Sequence, residues 1–345
     1  MIAMDRENVF ARGWSHVVST AHDIDELDAF RIRVGAPSPA LQLSNPRWPH
    51  LDLRDGPREI ALVQPDVRVF ESTVDLVKFM RTEAAGSSVA EARRLLALAR
   101  RPVVLTGAGI SADSGVPTFR GAEGLWRDVR PEEIATPEAF ARDPVRSWAW
   151  YAWRREKLAH CRPNAAHLAL ARWLIDRPGG LLVTQNVDGL HELAALEAAG
   201  GDPDIAERAM PVRLHGSIVH VRCPACGLRA EHRETIDATS EAALPHCERC
   251  GALLRPDVVW FGEALPQEAL QRALEAAASA DVCLVIGTQG AVYPAAGVAE
   301  TAQHRGAALI VIDPGKTHFD AHADVRIVET AARGLPGLLG SAGQR

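Results

Sequence analysis

Short apolar runs recur at Arg101–Thr106 (RPVVLT), Gly180–Thr184 (GLLVT), Asp281–Gly287 (DVCLVIG), Ala308–Ile312 (ALIVI) and Val325–Val328 (VRIV), separated by Ala-, Leu- and Glu-rich stretches. Apolar runs of strand length bounded by helical segments read as strands buried on both faces. Their alternation predicts an α/β chain: a Rossmann-like parallel sheet with helices on both sides. Two segments interrupt the pattern, a helical one over 121–166 and a cysteine-bearing one from about Arg222 to Arg255, within outer bounds of 216–258. Together they predict a smaller inserted domain, with the chemistry in the cleft between the two.

Residues 1–95 read as an N-terminal extension, with 96–340 as the main domain. The extension shows strand-like alternation at Asp66–Phe70, then a helix with an N-cap signal at Ser72 and a stripe of Val74, Val77, Phe79 and Met80. A Gly86-Ser87-Ser88 break is expected to separate that helix from the next. A packed extension that covers the core is the simpler expectation, and a separate regulatory domain the other.

Composition narrows the class. The chain has 345 residues and 47% hydrophobic content, enough for a substantial core. Its net charge of −6 gives no global attraction to nucleic acid or anionic membrane. No apolar stretch approaches the ~20 residues that span a bilayer, and MIAMDRENVFARGW lacks the apolar core of a signal peptide. A cytoplasmic enzyme is expected, with no nucleic-acid or membrane partner; the oligomeric state is left open.

Four of the six cysteines pair as Cys223-Pro-Ala-Cys226 and Cys247-Glu-Arg-Cys250. Two such knuckles supply four thiolates, which close a tetrahedral Zn2+ shell and leave no open position, as a structural site requires. Gly227 and Gly251 follow the knuckles and ease the turn around the metal. Disulfides are the alternative in an oxidising compartment.

The run Arg101–Thr106 leads into Gly107, Gly109 and Ala112, a strand, a tight turn and a helix start. Such a turn can aim backbone N–H groups and a helix dipole at a phosphate. An ordinary strand-to-helix turn reads the same way, and the dehydrogenase version needs an acidic residue about twenty positions on, closing a second strand. Here Pro117, Gly121 and Gly124 make that region a loop.

GAGIS (107–111), PTFRG (117–121), TQNVDGLH (184–191), HGS (215–217), both CxxC pairs, VVWFGE (258–263) and GT-x-x-x-VYPAA from Gly287 occur in one order. Over roughly 96–335 the chain resembles the sirtuins, NAD-dependent protein lysine deacylases. The resemblance implies a reaction in which an acyl-lysine amide oxygen meets the anomeric carbon of NAD's nicotinamide ribose. Nicotinamide leaves, and a base then lets a ribose hydroxyl attack the resulting imidate. Neutral histidine suits that step at cellular pH.

By resemblance His215 is the base, with His191 as the competing candidate. Asn186 positions the ribose or a water, Asp188 accepts from the nicotinamide carboxamide, and Gln185 supports the ribose. Asn and Asp also serve as plain caps. Gly107, Ala108, Gly109 and Ser111 would line the phosphates, Phe119 would shield the reactive carbon, and Arg120 would contact the cofactor. Gly287 and Thr288 belong to the same pocket. Gln289 and Asp313 stand where the family usually carries Ser and Asn, implying altered NAD contacts. Val259, Trp260, Phe261, Gly262 and Glu263 would form an extended edge that pairs with substrate backbone.

Tyr151 and Arg154 in WAWYAWRREK lie three apart, on one helix face. They match the Tyr-x-x-Arg pair of the sirtuin branch that removes succinyl and malonyl groups, and Thr118 also fits that branch. A guanidinium fork suits a free carboxylate; the alternative is a solvated helix face. The implied partners are acylated-lysine proteins, with acetyl removal as a second activity. ADP-ribosyl transfer or NAD hydrolysis in the same cleft is the competing reading.

Overall fold

The computed structural model describes residues 1–7, 13–21, 23–43, 49–118 and 131–340, and for 7, 81–87 and 131 only the backbone. Two compact units divide the chain, Met1–Ala90 and Glu91–Arg345.

In the first unit, β1 (Ile2–Glu7), β2 (Trp14–Ser19), β3 (Leu41–Gln42), β4 (His50–Arg54) and β5 (Val67–Ser72) form one sheet in the order β3-β4-β2-β1-β5. Period-2 alternation gives it two distinct faces. Ile2, Met4, Val17, Leu51 and Leu53 pack on Leu27, Phe30 and Ala61 from the helices Ile24–Arg33 and Asp55–Leu62. Ala3 and Val18 on the other face meet Leu76 and Met80 of the helix Thr73–Leu98. This differs from the expected stripe: Val74 and Val77 are exposed, and the i,i+4 pair Leu76 and Met80 turns inward. The helix also runs straight through Gly86-Ser87-Ser88. A glycine inside a helix costs only about 1 kcal/mol, and the Ala-rich flanks tolerate it. The segment expected to hold one strand and one helix thus has its own sheet and core; adjacent apolar residues in β1 (Ile2-Ala3-Met4) and β2 (Val17-Val18) break the period-2 pattern that marks β5.

In the second unit the strands are β6 (Pro102–Thr106), β7 (Leu181–Thr184), β8 (Val212–Arg213), β9 (Gly216–Arg222), β10 (Arg229–Glu231), β11 (Arg255–Val258), β12 (Val282–Ile286), β13 (Ala308–Ile312) and β14 (Val325–Ile327). Six of them form a parallel sheet in the order β14-β13-β12-β6-β7-β8. Every residue of β6 and β12 is buried, as a sheet covered on both faces demands. From β6 the chain winds outward through β7 and β8 on one side and through β12, β13 and β14 on the other. The topological switch point therefore lies between β6 and β12, where an open α/β sheet binds its ligand beyond the strands' carboxyl ends.

The smaller sheet, β10-β9-β11, carries the cysteine knuckles. Its core joins Ile218, Val221, Cys223, Cys247 and Val258 to Phe140, Trp148 and Tyr151 of the helices Pro137–Arg142 and Pro144–Ala159. Among the described residues no helix is long and apolar enough to cross a membrane.

Candidate active site

Three glycines close the switch point. Gly107 and Gly109 follow β6, Gly287 follows β12, and the backbones touch: a Cβ on Gly109 would lie 2.7 Å from the Gly287 Cα, and one on Gly287 2.4 Å from the Ile110 nitrogen. Gly287 also has φ +61°, a conformation side chains disfavour. The Gly107 and Gly109 amides donate to the Ile286 and Gly287 carbonyls at 3.0 and 2.9 Å. They fasten the strand ends together rather than pointing at a phosphate, which corrects the sequence expectation for these two groups. The turn continues as a 3-10 helix, Ala108–Ser114, instead of an α-helix. That tighter winding turns Ser111 fully inward. Its hydroxyl donates to Asp188 Oδ2 at 2.8 Å and meets His167 Nε2 at 3.3 Å, so it organises the site from beneath instead of lining an open surface.

The loop after β7 supplies the polar groups. Asn186 is buried, and its side-chain amide donates to the Gly107 carbonyl (3.1 Å) and to Ser111 Oγ (3.2 Å), leaving Oδ1 as its remaining polar atom. Asp188 accepts from the Leu190 amide at 3.0 Å as well as from Ser111. Burial raises its carboxyl pKa, opposed by those hydrogen bonds and by the Arg154 charge. Gln185 Nε2 donates to Thr288 Oγ1 at 3.1 Å, linking the loops after β7 and β12.

His215 follows β8, and its Nδ1 lies 3.0 Å from the Gln185 carbonyl. A carbonyl only accepts, so Nδ1 carries the proton and Nε2 presents the lone pair. Burial holds the imidazole pKa below its usual value, partly offset by that carbonyl. His215 is thus a neutral imidazole of fixed tautomer at cellular pH. His191 differs: it is buried, with Nε2 2.9 Å from Thr106 Oγ1 and its ring 4.9 Å from that of His167.

Asn164 and His167 escaped the sequence reading. Asn164 caps the helix Ala165–Ile175 in a capping box whose third residue is His167, and its amide also donates to the Ile110 carbonyl at 2.8 Å. The Asn-x-x-His spacing was a visible capping signal, with histidine in the place usually held by Glu or Gln. Burial pushes His167 down to about 4 and His191 well below its usual value. Both stay neutral in the fold, whereas in the unfolded chain each protonates near pH 6.5. Folding stability therefore falls as pH drops from about 6.5 towards 4, by about 3 kcal/mol for His167 alone. Urea unfolding across that pH range should show the decline, and His167→Gln should flatten the slope.

Tyr151 and Arg154 are both buried on one face of their helix, 1% and 6% exposed, so the face is not solvated. The Tyr151 hydroxyl accepts from Trp260 Nε1 at 2.8 Å. The Arg154 guanidinium lies 4.8 Å over the Trp150 ring, in the field of Tyr151 and Asp188, and burial lowers its pKa. A shallow depression lined by Val116, Pro117, Arg154 and Leu158 opens beside it.

The segment Val259–Glu263 leaves β11 and closes a turn at its end, where the Glu263 amide donates to the Trp260 carbonyl at 3.0 Å. The Val259 amide donates to the His215 carbonyl, that of Trp260 to Glu263 Oε2, that of Phe261 to the Ala135 carbonyl, and Gly262 has φ +84°. The Glu263 carboxylate is gripped by both arms of Arg255 (2.6 and 3.0 Å) and by Arg222 (2.7 Å). Only Phe261 of the apolar residues here is exposed. Gln289 is exposed beside the switch point, and its carbonyl accepts from the His318 amide. Asp313 follows β13 and its Oδ1 accepts from the Gly315 amide at 2.7 Å. Phe119 and Arg120 lie outside the described residues.

The four cysteine sulfurs converge to within 4.8 Å of one another, with Cys223–Cys250 at 3.5 Å and Cys226–Cys247 at 3.6 Å. Zinc–sulfur bonds of ~2.3 Å at tetrahedral angles require sulfurs about 3.8 Å apart, so the set fits a structural Zn2+. Gly227 and Gly251 both sit at φ +74°, the left-handed turn each knuckle needs.

Residues 107–294 match the Sir2 family. The chain is 47% identical over 247 residues to NAD-dependent protein deacylase 2 of Pyrobaculum aerophilum, covering 71% of this chain and 92% of that protein. It is also 47% identical over 253 residues to an NAD-dependent protein deacylase of Thermus thermophilus, covering 72% and 93%. Among solved structures, a Sir2 homolog in complex with NAD superposes with TM-score 0.64 at 42% identity, over 72% of this chain and 92% of that one. Near-complete coverage of these relatives, with a common fold, makes this chain a member of the Sir2 family.

Proposed function

We propose that the chain is an NAD-dependent protein-lysine deacylase that prefers acyl groups ending in a carboxylate, succinyl and malonyl, and also removes acetyl. The observation that carries the preference is the burial of Arg154. A guanidinium 6% exposed, beside Tyr151 and within the field of Asp188, has lost most of its water. An anionic acyl terminus replaces that water with a charge-assisted fork, and the Tyr151 hydroxyl can donate to the same carboxylate.

The glycine contact between the loops after β6 and β12 lets a dinucleotide approach the strand ends closely, and Asp313 after β13 supplies a carboxylate suited to ribose hydroxyls. Bound NAD supplies an anomeric carbon with nicotinamide as leaving group. Asn186 Oδ1 and the second lone pairs of Asp188 hold the ribose and the carboxamide; Ser111 fixes both side chains from below. His215 Nε2 removes a proton from a ribose hydroxyl so that it can attack the acyl carbon, and the tautomer set by the Gln185 carbonyl keeps that lone pair available. The acyl-lysine amide oxygen would bond to the anomeric carbon as the nicotinamide bond breaks, the deprotonated 2'-hydroxyl would add to the resulting imidate carbon, and one water would complete cleavage of the C–N bond, giving nicotinamide, the unmasked lysine and 2'-O-acyl-ADP-ribose. The thiolate zinc site agrees with a reducing compartment such as the cytoplasm.

Arg154→Met keeps the length of the side chain and removes the fork. It should lower kcat/KM for a succinyl-lysine peptide by about ten- to a hundredfold, the equivalent of one charge-assisted bond, while the acetyl-lysine rate changes little. Equal losses on both peptides would show that Arg154 only supports the helix.

A further inference from the structure

The first unit carries a polar cluster that the deacylase reaction does not use. On the sheet face packed by the helix Thr73–Leu98, His16 on β2 stands directly opposite Asp52 on β4, and His50 lies two residues before Asp52 on the same face. His16 Nε2 and His50 Nε2 each lie 3.8 Å from Asp52 Oδ1, and the two rings stand edge to face, 5.6 Å between centroids. All three side chains are about a quarter exposed, so solvent reaches the point where their donor atoms meet.

Beneath them lies Asp5 on β1, fully buried. Its Oδ1 accepts from the His16 amide at 2.7 Å; its Oδ2 lies 2.9 Å from His16 Nδ1 and accepts from Thr73 Oγ1 at 2.7 Å. A buried carboxylate at Nδ1 fixes the His16 tautomer, places the proton on Nδ1 and turns the Nε2 lone pair outward. This is the outer-shell arrangement that orients metal-ligating histidines and raises their basicity.

We propose that His16, His50 and Asp52 bind a divalent first-row transition-metal ion, with Asp5 as the residue that positions His16. Two imidazoles and one carboxylate suit zinc, iron or manganese, and three protein ligands leave at least one position open for water or a substrate oxygen. Bonds of ~2.1 Å at tetrahedral to octahedral angles need donor atoms about 3.0–3.4 Å apart. The present 3.8 Å separations close to that range by small side-chain rotations. This site differs in kind from the cysteine site: it is oxygen- and nitrogen-rich and coordinatively open.

The test uses the full chain, loaded with zinc at the cysteines and then dialysed against Co2+. The expected result is one further ion per chain by elemental analysis, with a visible spectrum free of thiolate-to-cobalt charge transfer. Asp52→Asn, near-isosteric on a partly exposed strand, and His50→Gln should each weaken uptake at least tenfold. Asp5→Asn should weaken it about ten- to a hundredfold through His16. Wild-type protein that takes up no second ion overturns the proposal without any variant. So does a second ion whose affinity is unchanged in Asp52→Asn and His50→Gln.

Discussion

His215→Ala should lower deacylation kcat by about 10²- to 10⁴-fold, the usual contribution of a positioned general base, while NAD affinity changes little. Among the described residues the imidazole makes one hydrogen bond, Nδ1 to the Gln185 carbonyl, so its removal leaves the glycine cradle and the Asn186–Ser111–Asp188 network in place. The same residue sets the acidic limb of the pH profile. Only the neutral imidazole accepts a proton, and burial moves its pKa downward, so protonation sets in only below the ordinary histidine range near 6.5. The rate should therefore hold as pH falls through 6.5 and drop only at more acidic values. Single-turnover rates of wild type and variant across pH separate this limb from the stability loss caused by His167 and His191, which unfolding curves report independently.

Stripping zinc should have the largest structural effect. Cys223 and Cys247 lie in the same core as Trp148, Tyr151 and Trp260, so the metal holds the helix Pro144–Ala159 as well as the ribbon. Structural zinc in small modules contributes apparent free energies of roughly 10–16 kcal/mol, far above the ~0.5–3 kcal/mol of most single substitutions. A strong chelator, or Cys247→Ser, should shift the emission of the buried Trp148 and Trp260 to the red and abolish deacylation. Far-UV signal from the six-stranded sheet should persist, since its core is a separate cluster. Unchanged emission after complete zinc removal would mean that packing alone holds this domain.

Five of the six strands of the main sheet were legible because burial on both faces leaves uninterrupted apolar runs, and each of the five appears within a residue or two of its expected place; the two-residue β8 offers no such run. The cysteine knuckles were legible because metal geometry fixes their spacing. What escaped depends on non-local contact. Ser111 and the Gly107 and Gly109 amides looked like ligand groups, yet they bind other parts of the chain, since a loop must satisfy its own buried donors before it can offer any. No local pattern shows that Arg255 and Arg222 both hold the Glu263 carboxylate. In the first unit, only pairing of β2 with β4 brings His16 to His50 and Asp52, and no local period announces such a meeting.

The central claim is that acyl removal and NAD consumption are one reaction. Its most direct test is mass spectrometry of a succinyl-lysine peptide incubated with the protein and NAD, following every product. The expected result is one nicotinamide released and one acyl-ADP-ribose formed for each lysine unmasked, all of it lost in His215→Ala. Nicotinamide released without deacylation, as free ADP-ribose or as ADP-ribosylated protein, would contradict that claim and assign the cleft to NAD hydrolysis or ADP-ribosyl transfer.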